Sequence, residues 1–255
     1  MPIENAKRLL VFVAHPDDES IGCGVLLQRI PTALAVFAVD GAPEGYGFEH
    51  KFGSLNNYSE ERFKEAGCAL AHAGHSSFRR LNARSGTYFP DRHLFEHLEE
   101  AADSLLTIAR EFSPDAIVSH AFEGGHIDHD ACTVLADHAA QTLALDRFEF
   151  PLYWKGENGH DVFQQFRDPQ EEESVLNPCE AEIATKNKML AEYKSQRDML
   201  ATFCPERERF RSARSRDYAR LSWNSPYPGN WRSRRDTKIA LQRFSEFRKH
   251  FTPIG

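Results

Sequence analysis

The chain has 255 residues, with 31 Lys and Arg against 38 Asp and Glu for a net charge of −7, and it is 41% hydrophobic and 27% charged. This length suits one large α/β domain or at most two small ones. The composition is ordinary globular usage, which excludes wholesale disorder, a collagen-like fibre and a disulfide miniprotein. Net acidity argues against a dedicated nucleic-acid binder, which would neutralise phosphates with surplus Lys and Arg.

Five cysteines, Cys23, Cys68, Cys132, Cys179 and Cys204, stand far apart with no C-x-x-C pair. Their odd number reads as reduced thiols in a reducing compartment. The apolar run from Leu9 to Ala14 is far shorter than the ~20 residues that span a bilayer, and no cleavable leader pattern is recognised. The expectation is a soluble, cytoplasmic protein without membrane contact.

In chain order, Arg8 to Ala14 is apolar without alternation, as a strand buried on both faces of a parallel sheet reads. Ile21 to Ile30 forms a short helix whose Gly22 and Gly24 permit close packing on the sheet. Ala33 to Val39 is a second strand, which completes a βαβ unit. There follow a helix over Ser59 to Ala73, introduced by Ser59, a weak strand at Phe78 to Leu81, a helix at Leu94 to Phe112 and a strand at Ala116 to Ser119. A helix at Ala131 to Leu143 and an extended stretch at Glu149 to Trp154 come next. This alternation predicts a Rossmann-like, doubly wound α/β fold, a mostly parallel sheet with helices on both faces. The polar stretch from Gln164 to Pro178 and a helix from Ala181 to Leu200 read as elaboration of the same domain. Residues 1–255 are therefore expected to form one domain, with a core over about 8–200 and an extension over 201–255 packed on it. Ligands in such folds bind beyond the carboxyl ends of strands, where strand order reverses. That directs attention to the residues after Ala14 and after Ser119.

The first strand runs into Ala14-His15-Pro16-Asp17-Asp18-Glu19, an imidazole and three carboxylates in one short loop. Left unpaired, the carboxylates would repel one another. A cation relieves the repulsion, and imidazole with carboxylate oxygen is a donor set that zinc accepts. Helix capping by Asp17 or Asp18, with His15 on the surface, is the alternative. The strand at Ala116 leads through His120 and Gly124-Gly125 to His126-Ile127-Asp128-His129-Asp130. Histidines at this spacing on the opening turn of a helix can face one point, and the glycine pair permits the turn that carries that point over the sheet edge. H-x-x-H alone is a weak signal; its place after a strand of the same sheet strengthens it.

Together these segments resemble the LmbE-like or PIG-L-like N-acetylglucosaminyl deacetylases, whose first motif is A-H-P-D-D-E and whose second is G-H-x-D-H. The likeness extends to Ser59-Glu60-Glu61-Arg62-Phe63-Lys64-Glu65-Ala66, to the stretch ending at Asp91, and to Lys186–Gln196 with its Tyr193-Lys194-Ser195-Gln196. It covers about residues 8 to 200. The resemblance implies one zinc ion, or another divalent transition metal such as iron or cobalt, held by His15, Asp18 and His129 with a position open for water. It also implies Asp17 as general base and a protonated His126 beside the reacting carbonyl. Asp128 would orient His126 and raise its pKa, Arg62 and Asp91 would bind the sugar, and Glu19 would bind backbone amides near the loop. The competing readings are a helix-surface charge for Arg62, a turn residue after Pro90 for Asp91 and a solvent-facing acid for Asp128. His120, His72, His75 and His160 read as structural or exposed. Two positions depart from the family pattern. Ile127 stands where proline is frequent. Gly124 stands where some members carry a tyrosine that touches the carbonyl, so phenolic help must come from elsewhere or be missing.

Between Arg207 and Arg235 the chain holds nine arginines, Arg207, Arg209, Arg211, Arg214, Arg216, Arg220, Arg232, Arg234 and Arg235, interleaved with Phe210, Tyr218, Trp223, Tyr227 and Trp231. They could bind a polyanion such as RNA, line the rim of the active-site cleft, or pair with the acidic surface. The combined expectation is a metal-dependent hydrolase that removes the N-acetyl group from an N-acetylglucosamine-type sugar or conjugate. Its partner is a small molecule rather than nucleic acid, and homo-oligomerisation is left open. An amidase acting on another acyl-amine and a noncatalytic polyanion-binding module are the alternatives.

Overall fold

The computed structural model describes residues 2–168, 172–214, 216, 218 and 234–251. β1 (Leu9–Val13), α1 (Asp18–Arg29) and β2 (Ala33–Phe37) make the expected βαβ unit, with parallel register from Leu9↔Ala33 to Val13↔Phe37. α2 (Phe48–Phe52) and α3 (Leu55–His72) lead to β3 (Phe78–Arg80), followed by α4 (Leu98–Phe112), β4 (Ala116–His120), α5 (Ile127–Leu143) and β5 (Asp146–Phe150). A hairpin of β6 (Tyr153–Lys155) and β7 (Asp161–Phe163) precedes β8 (Ser174–Val175), α6 (Glu180–Glu192), α7 (Arg197–Leu200), β9 (Arg209–Ser212) and α8 (Arg234–Phe251).

The large sheet has the order β3-β2-β1-β4-β5-β9-β8. Its first five strands pair in parallel, and β9 and β8 extend it antiparallel. This is the mostly parallel α/β fold that the alternation predicts. Strand order reverses between β1 and β4, whose pairing Leu9↔Ala116 sets their carboxyl ends side by side.

Each face of the sheet carries its own core, and β1 serves both by alternation of its side chains. Leu10 and Phe12 join Val36, Leu98, Leu105 and Leu135 on one face, together with Ala240, Phe244 and Phe247 from α8. Leu9, Val11 and Val13 join Ile21, Leu26, Phe63, Leu70, Phe150 and Met189 on the other. Two-sided burial is why the β1 run has no polar interruption. The extension thus contributes buried rings to the core, each worth about 1.5–3 kcal/mol of apolar burial.

Several boundaries differ from expectation for physical reasons. α1 begins at Asp18 and α5 at Ile127, each earlier than the apolar pattern suggests, because polar motif residues occupy first turns, where unpaired N–H groups and the helix dipole favour carboxylates. α3 begins at Leu55, capped by Ser54 Oγ, which accepts the Asn57 N–H at 3.0 Å. Ser59 is not the cap; it lies inside the helix and donates to Asp40 O at 2.7 Å. The helix expected over Ala181 to Leu200 breaks after Glu192, and Pro151, which has no N–H for the ladder, separates β5 from β6.

Gly22 does pack on the sheet, since a Cβ there would lie 2.3 Å from the Phe150 ring, whereas Gly24 faces Lys186 of α6. Lys186 is fully buried and donates to Ile21 O at 2.8 Å and Glu208 Oε1 at 2.6 Å. Glu208 also accepts the Val25 and Leu26 N–H groups at 2.6 and 3.0 Å. This clamp fastens α6 and the approach to β9 onto α1. Among the described residues, no helix is long and apolar enough to cross a membrane.

Candidate metal centre and active-site cavity

The chain leaves β1 through Ala14 and turns at Asp17, whose φ of 134° and ψ of −31° are strained for a residue with a side chain, at a cost of about 1–3 kcal/mol. The turn is held from both sides. Asp17 N–H donates to Glu19 Oε2 at 3.0 Å, and Glu19 Oε1 accepts from Ser20 Oγ at 2.5 Å and from the Tyr193 hydroxyl. Arg62 Nη2 donates to Pro16 O at 2.7 Å and to Asp17 Oδ2 at 2.8 Å, while Nη1 donates to Gly41 O at 2.5 Å. Arg62 is therefore a buried brace for Asp17 and not a helix-surface charge.

The second loop follows β4. The Asp130 carboxylate accepts the Glu123 and Gly124 N–H groups at 3.0 and 3.1 Å, which fixes the glycine turn. His126 caps α5, its Nδ1 accepting the Asp128 N–H at 3.2 Å. Gly125 has no room for a side chain, because a Cβ would lie 1.8 Å from Tyr153 O. That close approach sets Tyr153 of β6 edge-on to His129, with ring centroids 5.4 Å apart.

The two loops converge. His15 Nδ1 lies 3.2 Å from Asp18 Oδ2 and 3.3 Å from His129 Nε2, and the latter lies 3.5 Å from Asp18 Oδ2. All three residues are buried. Ligand atoms about 2.0–2.1 Å from a tetrahedral zinc ion stand about 3.3–3.4 Å apart, so this triangle fits a divalent metal and leaves a fourth corner. His15 Nε2 points the other way, towards Asp91 Oδ2 at 3.5 Å and Asp128 Oδ2 at 3.6 Å. His15, Asp91, His126 and Asp128 thus form a second group of ligand-type atoms. The Asp128 carboxylate accepts the Arg92 and Leu94 N–H groups at 2.5 and 3.2 Å, as Asp18 Oδ2 accepts the His15 N–H at 2.8 Å. Spacing separates the two groups: 3.2–3.5 Å within the triangle of Asp18, His15 and His129, nearer that of zinc ligands, against 3.5–4.0 Å in the second.

His120 supports the triangle. Its ring stacks on His129 with centroids 4.0 Å apart and planes 5° from parallel, and its Nε2 accepts the Ala14 N–H at 3.0 Å. A nitrogen so engaged is not a ligand, and burial, with His129 beside it, pushes His120 down to about 3. His75 is likewise structural, bonded to Leu27 O at 2.9 Å, while His72 and His160 are exposed.

Asp128 and His126 depart from the expected pairing. Asp128 Oδ2 is 4.0 Å from His126 Nδ1, a nitrogen that already accepts the Asp128 backbone N–H. The early start of α5 turns the Asp128 carboxylate towards the 91–94 loop and His15 instead. Asp128 is fully buried, so the solvent-facing reading does not hold either. His126 is not raised: burial, then the adjacent His15 and His129, drive it well below its ordinary value. Its accepting Nδ1 assigns the ring proton to Nε2.

Burial also pushes the Asp17 carboxyl up to about 7 against the pull of Arg62. Burial opposes charge on His15, yet Asp91, with contacts to Asp128 and Asp18, holds it well above its usual value. Asp91 is fixed by its own N–H, which donates to Asp40 Oδ1 at 2.9 Å.

His15, Asp17, Asp18, Arg62, Asp91, His126 and His129 all line one cavity of about 550 Å³, whereas Asp128 lies behind it. Three further contributors carry no signal in the sequence. Arg92 adopts a left-handed φ of 71° next to Asp91. Asp40 ties down the Asp91 loop. Tyr153 brings a phenol to the cavity wall, where burial raises its pKa well above the ordinary value and keeps it protonated. No described residue from 207–235 lines the cavity, so a rim role for that segment finds no support among the described residues. Arg211 instead binds Glu149 at 2.6 Å and Asp168 at 2.8 Å, Arg216 binds the same two acids, and Arg209 reaches Glu173 at 3.5 Å. Arg207 and Arg214 are exposed. Arg220, Trp223, Tyr227, Trp231 and Arg232, and the side chains of Arg234 and Arg235, lie outside the described residues.

Fold and cluster together are those of a doubly wound α/β protein with a buried histidine and carboxylate cluster, able to hold a metal ion, beyond its switch-point strands. The family described as PIG-L: GlcNAc-PI de-N-acetylase matches residues 10–140, and the chain belongs to it. A 1D-myo-inositol 2-acetamido-2-deoxy-alpha-D-glucopyranoside deacetylase of Nocardioides sp. (strain ATCC BAA-499 / JS614) is 29% identical over 175 residues, 57% of this chain and 58% of that protein. The chain spans about three-fifths of the length of the curated relatives it matches. In fold, the zinc-inhibited form of teicoplanin deacetylase superposes with a TM-score of 0.58 at 18% identity, over 80% of this chain and 96% of that one. A 4-carboxy-2-hydroxymuconate hydratase from Pseudomonas putida superposes with 0.51 at 16% identity, over 76% and 82%. Reactions as different as deacetylation and hydration thus share the architecture, and function has to be argued from the site.

Proposed function

We propose that the protein is a zinc-dependent hydrolase that removes the N-acetyl group from an N-acetylglucosamine-type sugar or conjugate. The observation that carries this reading is the buried triangle of His15 Nδ1, Asp18 Oδ2 and His129 Nε2, with Asp17 and His126 beside it on the floor of a substrate-sized cavity. Membership in a de-N-acetylase family and relatives named as deacetylases support the same reaction.

A divalent ion in this cradle would acidify a water and draw charge from a carbonyl oxygen. The residues do the rest. Asp17, held by Arg62, accepts the proton of the attacking water as the new C–O bond forms at the acetamide carbon. Neutral His126 donates from Nε2 to the carbonyl oxygen as negative charge develops there. Asp17 then delivers the proton to the nitrogen as the C–N bond breaks, which yields acetate and a free amine. Asp128 and Asp91 hold His15 from behind, and the Tyr153 hydroxyl is a second donor on the carbonyl side. The test is acetate release from N-acetylglucosaminides by the purified chain. Release should vanish on chelation and return with zinc; release that persists after metal is stripped contradicts the proposal.

A further inference from the structure

The cavity has two unlike halves. Its floor is charged, but its outer walls are formed by Tyr46, Phe48, Phe163, Met199 and Phe203. Tyr46 and Met199 are 49% and 39% exposed, large apolar side chains left at a mouth, which is the kind of patch that marks a binding surface. The walls are pre-arranged. The rings of Tyr46, Phe48 and Tyr58 stack in series at 6.0 and 4.2 Å with planes 14° and 16° from parallel, and Phe163 meets Phe203 edge-on at 5.2 Å.

The polar side chains among these walls bond to protein groups, and Arg92 lies over the Tyr46 ring at 4.4 Å. Lys155 Nζ pairs with Asp161 Oδ1 at 2.7 Å, Gln196 Nε2 donates to the Tyr58 hydroxyl at 2.5 Å, and Thr202 Oγ1 donates to Met199 O at 2.7 Å. A hydroxyl-rich group meeting the ring faces of Tyr46, Phe48, Phe163 and Phe203 would give up water without a polar partner there, whereas an apolar group gains by burial. The volume of about 550 Å³ is in the drug-sized range of roughly 300–1,000 Å³ and leaves room beyond one sugar ring.

Resting on the deacetylase reading above, we infer that the substrate carries a flat, apolar, aryl-type aglycone on its N-acetylated sugar, seated among Tyr46, Phe48, Phe163, Met199 and Phe203. A polyhydroxylated aglycone does not match these walls. The sugar ring places the acetamide over the charged floor, and the aglycone supplies binding energy from the side remote from the reacting bond.

The experiment measures calorimetric Kd and acetate release for phenyl and methyl N-acetylglucosaminides with the zinc-loaded full chain. The phenyl glycoside should bind at least about 10-fold more tightly, equivalent to about 1.4 kcal/mol, which ring burial can supply. In the double variant Tyr46→Ser with Met199→Asp, both exposed positions whose change leaves the core intact, the phenyl-to-methyl ratio should fall towards one. Equal affinities in the wild type, or a ratio unmoved by the double variant, overturn the inference while acetate release leaves the deacetylase reading standing. A phenyl preference that collapses in the variant, without acetate release from either glycoside, supports the apolar subsite and overturns the deacetylase reading. Absence of binding by both glycosides overturns the subsite.

Discussion

The two halves of the cavity are assembled in opposite ways. The candidate metal ligands of the floor come from two loops, each contiguous in the chain, that follow the adjacent parallel strands β1 and β4. The outer wall is gathered from 46–48, from the β6–β7 hairpin and from 199–203, none of which carries a motif. Metal chemistry needs particular donor atoms at fixed spacing, so it marks the sequence. Shape made of apolar side chains needs only volume, which many residues supply, and it leaves no such mark.

This contrast can be broken at several points. The largest effect is expected on the floor: His129→Ala should abolish tight zinc binding in a calorimetric titration, and with it acetate release. Retention of one tight ion per chain in that variant would remove His129 from the cradle. The next largest concerns the clamp that joins the outer region to α1. Lys186→Ala leaves the Glu208 carboxylate buried without its cation and should cost about 3–5 kcal/mol, a fall in Tm of about 6–20 °C for a chain of this size. A melting curve within about 2 °C of wild type would show that the clamp bears no load.

Asp17→Asn sharpens the division of labour on the floor. It should keep the ion while kcat drops roughly 10²-fold or more, and normal turnover would reassign the base. Tyr153→Phe probes the seam between wall and floor, because its ring lines the cavity edge-on to His129 and its hydroxyl is the proposed second donor. The loss expected in kcat is about 2–10-fold, the usual worth of one neutral hydrogen bond.

The smallest effect lies on the surface. The hydrogen bond from Arg29 holds Glu182 at about 2, below its ordinary value of 4.5. A depressed carboxylate pKa stabilises the fold above the unfolded value and loses that contribution as pH falls through the folded one. The stability difference between wild type and Glu182→Gln should therefore be full at pH 7 and shrink between about pH 4.5 and 2; a difference independent of pH would contradict the pairing.

The parallel core is legible in the chain because burial on both faces removes polar residues from β1 and from 116–118 of β4. His15, Asp18 and His129 are legible because the strand ends bring two short motifs together. The partner of Asp128 is not. Its nearness to His126 in sequence suggests one pairing, and the start of α5 at Ile127 imposes another. β8 and β9 escape notice because they are only two and four residues long, and the Arg211 of β9, exposed-looking in sequence, is buried against Glu149. The stripe of Ala240, Phe244 and Phe247 on α8 has helical spacing, but its neighbours are charged enough to mask it. Tyr153 reaches the cavity only because Gly125 lets β6 approach, a contact between segments that no local pattern encodes.

The most direct test of the metal cradle is an anomalous difference map at the zinc absorption edge from crystals of the zinc-loaded protein. The cradle predicts a single peak in bonding contact with His15 Nδ1, Asp18 Oδ2 and His129 Nε2. A peak on the opposite face of His15, between Asp91 and Asp128, or no peak at either place, would contradict it.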